Sequence, residues 1–233
     1  MIRAILLDIE GTTTPISFVH EVLFPYARKH LKGYIAQHSG AKDLLADLDQ
    51  LRKERQADLT EGQQPPELIE PYVYWLIDRD RKSPGLKSVQ GKIWKQGYSD
   101  GSLRSQVFED VPSAIKRWRE AGLSVNIFSS GSVLAQQLLF SHTEAGDLTN
   151  LIDQYFDTGV GKKIEAESYR RIATQLSVAP NEILFVSDVV SELDAAHEAG
   201  MRTALSVRPG NPESSHPHQH TVIENLNEIT IDM

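Results

Sequence analysis

Four short aliphatic runs constrain this chain more than any other feature. They are IRAILLD (2–8), SVNIFS (124–129), EILFVS (182–187) and RTALSV (202–207). Each is too brief for a helix, and none alternates apolar with polar residues as a half-exposed strand would. Such runs suit strands covered on both faces, the condition in a parallel sheet. Helical patterns at 113–121, 133–140, 164–176 and 189–199 stand around them. The last stops at Gly200, where a glycine can take the left-handed conformation that ends a helix. Strands alternating with helices predict βαβ units and a doubly wound, Rossmann-like parallel sheet.

One stretch interrupts that rhythm. Residues 16–108 hold helical patterns at 19–37, 41–59, 67–81 and 86–96, with almost no strand-like run. TEGQQPPE at 60–67 is a polar, proline-bearing joint between two of them. The expected organisation is therefore a core from 1–15 and 109–233, with 16–108 as an inserted all-helical domain. Past the fourth run, RPGNPESSHPHQH (208–220) reads as loop, and TVIENLNEI (221–229) as a closing strand or helix.

Composition narrows the class of activity. The chain has 233 residues, 40% apolar and 24% charged, with a net charge of −8 and a pI near 5.5. Nucleic acid and anionic lipid are disfavoured as partners by overall repulsion, although a pocket can carry a local field that accepts a small anion. There are no cysteines, so disulfides, thiolate nucleophiles and cysteine-ligated zinc are excluded. The apolar start is only a few residues long before Asp8, too short for a signal segment or membrane span. The reading is a cytoplasmic monomer.

In an open α/β sheet, ligands bind beyond the carboxyl ends of the strands. Three of the four runs end there in polar clusters: Asp8 and Glu10, Ser129 and Ser130, and Asp188 with Glu192 one helical turn on. Each cluster alone has an ordinary explanation: a strand-end acid, a turn with a helix cap, a capping aspartate. Together they suggest a site. Acids brought close repel one another, and all-oxygen ligation without cysteine favours Mg²⁺. A serine-glycine turn opening a helix adds backbone N–H groups suited to phosphate.

Four segments in this order, DIEGTT (8–13), IFSSGS (127–132), a lysine after FDTGVG (156–161), and FVSDVVSELDAA (185–196), resemble the four motifs of the haloacid dehalogenase-like phosphohydrolase superfamily. That superfamily's phosphatases usually carry Asp where this chain has Glu10. The DxEGTT form is similar to the enolase-phosphatase family of methionine salvage, as are QGKIWKQGY (90–98), VFEDVPSAIKRWREAG (107–122) and RPGN (208–211). The resemblance implies Asp8 as nucleophile and Glu10 as general acid and base. It implies one Mg²⁺ held by Asp8, the Glu10 backbone carbonyl and Asp188, with Glu192 behind them. Ser129, the Ser130 amide and a lysine would hold the phosphoryl group. Lys162 and Lys163 are adjacent, and the family pattern favours Lys163. The helical insert resembles a cap that closes over the site, with Lys92 and Tyr98 as candidate substrate contacts and Trp94 more simply a packed aromatic. The implied substrate is a small phosphorylated diketone. Alternatives are another Mg²⁺-dependent small-molecule phosphatase of this superfamily, a metal-independent 2-haloacid dehalogenase, or a non-catalytic phosphate-binding protein on the same fold. His216, His218 and His220 have the spacing of metal ligands, but they sit in a Pro/Ser loop and are read as loop.

Overall fold

The computed structural model describes residues 1–79, 81–212 and 218–230. The chain divides into two compact units, one formed by Met1–Val19 with Arg104–Met233 and the other by His20–Leu103. His216 lies outside the described residues.

The larger unit is built on six parallel strands: β1 (Ala4–Leu7), β2 (Ser124–Phe128), β3 (Gln154–Phe156), β4 (Ile183–Ser187), β5 (Arg202–Ser206) and β6 (Thr221–Ile223). Their order across the sheet is β3-β2-β1-β4-β5-β6, so the doubly wound parallel sheet expected from the aliphatic runs is the sheet observed. β1 is wholly buried in the middle, which explains its unbroken apolar sequence. Helices α5 (Asp110–Glu120), α6 (Val133–Ser141), α7 (Ala166–Leu176) and α8 (Val190–Glu198) fill the crossovers. α5 buries Val111, Ala114, Ile115 and Trp118 at helical spacing and leaves Lys116 and Glu120 in solvent. α7 and α8 close another face, where Tyr169, Ile172, Leu193 and Ala196 pack against Leu6, Phe128 and Phe185.

Two elements differ from the sequence pattern. β3 has no aliphatic run, because it is three residues long and carries an exposed Gln154. The closing segment, left open between strand and helix, is both: β6, then a short 3-10 turn at Leu226–Glu228.

The smaller unit contains α1 (Phe24–Gln37), α2 (Lys42–Thr60), α3 (Ile69–Ile77) and α4 (Pro84–Ser99). A wide π-type turn at Phe18–Leu23 leads into α1. Ser83 caps α4 by accepting the Leu86 N–H, and Pro84 follows at the first helical position. The inner face of α4 is Leu86, Val89, Ile93 and Trp94. Buried polar groups are paired: Asp58 accepts from Tyr72 at 2.7 Å and from Arg81 at 2.6 Å. No helix among the described residues is long and apolar enough to cross a membrane.

Candidate active site

The register of the sheet brings the sequence-distant polar clusters to one level. Leu7 pairs with Ile127 on one side and Val186 on the other. Asp8, Ser129 and the Ser187–Asp188 pair therefore leave the sheet at the same edge, although up to 180 positions separate them along the chain.

Asp8 is 5% exposed. Its Oδ1 accepts the Ile9 backbone N–H at 2.7 Å and lies 2.7 Å from Lys163 Nζ. Its Oδ2 is within 3.3 Å of the Ser187 hydroxyl. Oδ1 is thus held by two short contacts and Oδ2 by one long one, so Oδ2 keeps the more available lone pairs. Lys163 Nζ also lies 2.5 Å from Glu192 Oε2, which accepts from Ser187 Oγ at 3.0 Å. Tyr169 donates its hydroxyl to the Lys163 carbonyl at 2.6 Å and so fixes the backbone that carries the lysine. Lys162 is exposed and pairs with Glu165. Of the two adjacent lysines, only Lys163 is turned into the site.

The loop after β1 is wound tightly about one carbonyl. The N–H groups of Thr12, Thr13 and Thr14 all point at Ile9 O, at 3.2, 3.0 and 2.9 Å. Gly11 has φ +70°, and a Cβ placed there would lie 2.2 Å from Asp188 Oδ2. The glycine therefore serves both the turn and the close approach of Asp188. Glu10 bridges to Thr14 across the same loop.

Electrostatics mark the cluster as under-neutralised. Burial, then the charges of Asp8 and Glu192, push the Asp188 carboxyl up to about 7, against a smaller opposing pull from Lys163. Burial and Asp8 likewise push Glu192 up to about 7. Burial alone would lower the Lys163 ammonium, but Asp8 and Glu192 outweigh it and hold it above its ordinary value. Three acids share one ammonium, and such a set favours an added cation.

Beyond β2, the Ser129 hydroxyl accepts the Gly131 N–H at 3.2 Å, and Ser132 caps α6 by accepting from Ala135. Gln136 donates to the carbonyls of Gly131 and Phe156 and ties this turn to β3. Ser130 is half-buried between them. In the helical unit, Lys92 pairs with buried Asp47 and donates to the Asp43 carbonyl. Tyr98 is 4% exposed, and Trp94 donates its indole N–H to Leu23 O at 2.9 Å. Lys92 and Trp94 are thus engaged within their own unit.

The family model for haloacid dehalogenase-like hydrolases matches residues 2–200. A protein of Synechococcus elongatus named Enolase-phosphatase E1 is 54% identical over 90% of both chains. One of that name from Sorangium cellulosum is 47% identical over 97% of both. The chain belongs to the haloacid dehalogenase-like hydrolases, and within them to the enolase-phosphatase family. The crystal structure of the UTR4 protein of Saccharomyces cerevisiae superposes with a TM-score of 0.80 at 35% identity, covering 97% of this chain and 98% of that one.

Within this family frame, several neighbours of these groups lie in matched segments that assign them no role. Ser187 contacts both Asp8 and Glu192, but in sequence it reads as the last residue of a strand. Asn211 and Arg208 donate to the carbonyls of Gly11 and Thr12. The only signal for them was the RPGN segment, which was matched without a role.

Proposed function

We propose that this protein is an enolase-phosphatase. It converts 2,3-diketo-5-methylthiopentyl-1-phosphate to its enol form and then hydrolyses the phosphate, giving the acireductone 1,2-dihydroxy-3-keto-5-methylthiopentene. The observation that carries the reading is the buried Asp8–Lys163–Glu192 chain beside Asp188 at the strand ends.

Asp8 is the nucleophile. Its Oδ2 attacks phosphorus, the phosphorus–oxygen bond to the enol breaks, and an aspartyl phosphate forms. Lys163 holds Asp8 Oδ1 and offsets negative charge on the transferring phosphoryl group. Ser129 and the Ser130 amide bind phosphoryl oxygens. Glu10 gives its proton to the departing enol oxygen. It then takes one from the water that attacks phosphorus and releases Asp8. Its side chain reaches one methylene further than the usual Asp, which also makes it the candidate base for the carbon-bound proton in the enolisation.

The donor set fits a hard divalent cation such as Mg²⁺. Among the described residues, no three His, Cys, Asp or Glu side chains stand in a ready-made metal cluster. The proposed set uses two carboxylates, Asp8 and Asp188, with the Glu10 backbone carbonyl as the third oxygen, and a single ammonium, Lys163, serves Asp8, Asp188 and Glu192 together. When bound, Mg²⁺ neutralises these acids and polarises the oxygens of the diketone and the phosphoryl group.

The test is phosphate release from the diketone phosphate with and without Mg²⁺, following the enol by ultraviolet absorbance. No Mg²⁺-dependent release from this substrate would overturn the assignment. A Glu10→Gln variant that enolises at full rate while losing dephosphorylation would remove Glu10 as the carbon base.

A further inference from the structure

The RPGN segment lies outside the four catalytic motifs, yet its geometry points at the nucleophile loop. Arg208, Pro209, Gly210 and Asn211 form a turn closed by the Asn211 N–H donating to Arg208 O at 3.0 Å. Proline stands at its second position, and Gly210 has φ +89° at its third, the pattern of a type II turn. The turn aims two side chains at the β1 loop. Asn211 Nδ2 donates to Gly11 O at 2.9 Å, and Arg208 Nε donates to Thr12 O at 3.2 Å. Ser206 Oγ reaches Gly11 O at 3.3 Å.

These contacts answer a need created by the loop itself. Its N–H groups converge on Ile9 O, while the Gly11 and Thr12 carbonyls face outward. A buried carbonyl without a donor is costly, so a partner must come from elsewhere in the fold. Arg208 is itself 5% exposed and held on several sides. Asp110 receives Arg208 Nη2 at 2.8 Å and Nη1 at 3.1 Å, Glu224 O receives Nη1 at 2.9 Å, and the guanidinium lies 4.6 Å from the centre of the Phe108 ring. A guanidinium fixed in this way leaves Nε little freedom except toward Thr12 O.

We propose that Asn211 and Arg208 are positioning residues that hold the Gly11–Thr12 backbone, and with it Glu10, in register with Asp8 and Asp188. The proposal rests on the reading of Asp8 as nucleophile. Asn211 touches no reacting atom. Its bond to the Gly11 carbonyl sets where Gly11, the residue after Glu10, lies against Asp188.

The test compares Asn211→Ala, Arg208→Met and Arg208→Lys with the wild type. Three readouts are taken: kcat and KM on the diketone phosphate, the affinity of beryllofluoride with Mg²⁺ for Asp8 by fluorine NMR, and the thermal midpoint. Asn211 is partly exposed and makes few contacts, so Asn211→Ala is expected to fold. Its kcat should fall by about tenfold or more with KM changed by less than about threefold, because displacement of the reacting groups weakens the reaction more than ground-state binding. Beryllofluoride affinity should fall with kcat. Arg208→Lys, which keeps a cationic donor, should recover part of what Arg208→Met loses. If folded Asn211→Ala keeps kcat and beryllofluoride affinity within about twofold of wild type, the proposal is overturned. It is equally overturned if kcat falls only in proportion to the folded fraction. Absence of a wild-type adduct on Asp8 would instead remove the nucleophile assignment.

Discussion

Replacing Gly11 by alanine should separate two costs that a glycine at positive φ usually confounds. The first is backbone strain. A residue with a Cβ at φ +70° is disfavoured by about 1–2 kcal/mol. For a chain of this size that corresponds to a thermal midpoint lower by roughly 2–8 °C. The second cost is specific to this position. The new Cβ would lie 2.2 Å from Asp188 Oδ2 and 2.6 Å from its Cγ, with Asn211 Nδ2 a lesser crowding at 3.1 Å. Reaching an ordinary contact near 3.4 Å requires the carboxylate to move by about 1.2 Å. A side-chain end yields cheaply, so this movement adds little to instability. It costs activity, because an ångström of misplacement at a reaction centre is worth about a hundredfold in rate. Gly122 supplies the control. It has φ +81° and nothing within 4 Å of the position a Cβ would take, so Gly122→Ala carries the strain alone. Melting curves and phosphate release should therefore show similar midpoints for the two variants, with the Gly11 variant about a hundredfold slower. If Gly11→Ala turned over within about fivefold of Gly122→Ala, the placement of Asp188 against Gly11 would have no catalytic weight and the reasoning would fail.

Asp8→Asn should fold and lose turnover, since an amide cannot form the acyl phosphate; near wild-type phosphate release would end the mechanism. In the metal-free protein, Asp188 and Glu192 are raised to about 7, so the native state binds more protons than the unfolded state. Their contribution to stability is complete below the ordinary carboxylate range and is lost as pH rises through about 7. Melts in EDTA should therefore show a midpoint that declines between mildly acidic and neutral pH, with Mg²⁺ restoring more at pH 8 than at pH 5; Mg²⁺ stabilisation that is greater at pH 5 would contradict this. Asp110→Ala should lower stability by about 3–5 kcal/mol in urea titrations, because it leaves the Arg208 guanidinium buried without its carboxylate. An unchanged midpoint would show that the pair contributes nothing.

The β1, β2, β4 and β5 strands were legible because a strand buried on both faces must be apolar throughout. β3 was not, and β6 was left open between strand and helix, since three-residue strands with exposed positions such as Gln154 and Val222 carry no comparable pattern. The helical character of the insert was also readable. Its polar pairings were not: QGKIWKQGY offers Lys92 as a candidate substrate contact, and nothing in that segment announces the buried acid 45 residues away that engages it.

For the site, residue types and order alone carried Asp8, Glu10, Ser129, Ser130, Asp188 and Glu192 as a candidate set, because strand ends on a parallel sheet converge whatever the intervening loops do. Tertiary structure decided the rest. The family pattern favoured Lys163 over the chemically identical Lys162 beside it, and the fold supplies the reason by turning Lys163 between Asp8 and Glu192. Ser187, Asn211 and Arg208 gain their importance from partners 179, 200 and 196 residues away. Local pattern records which residues must be buried or must turn. Which carbonyl a side chain then meets depends on the packing of the whole sheet, and that is where the support of the nucleophile loop is specified.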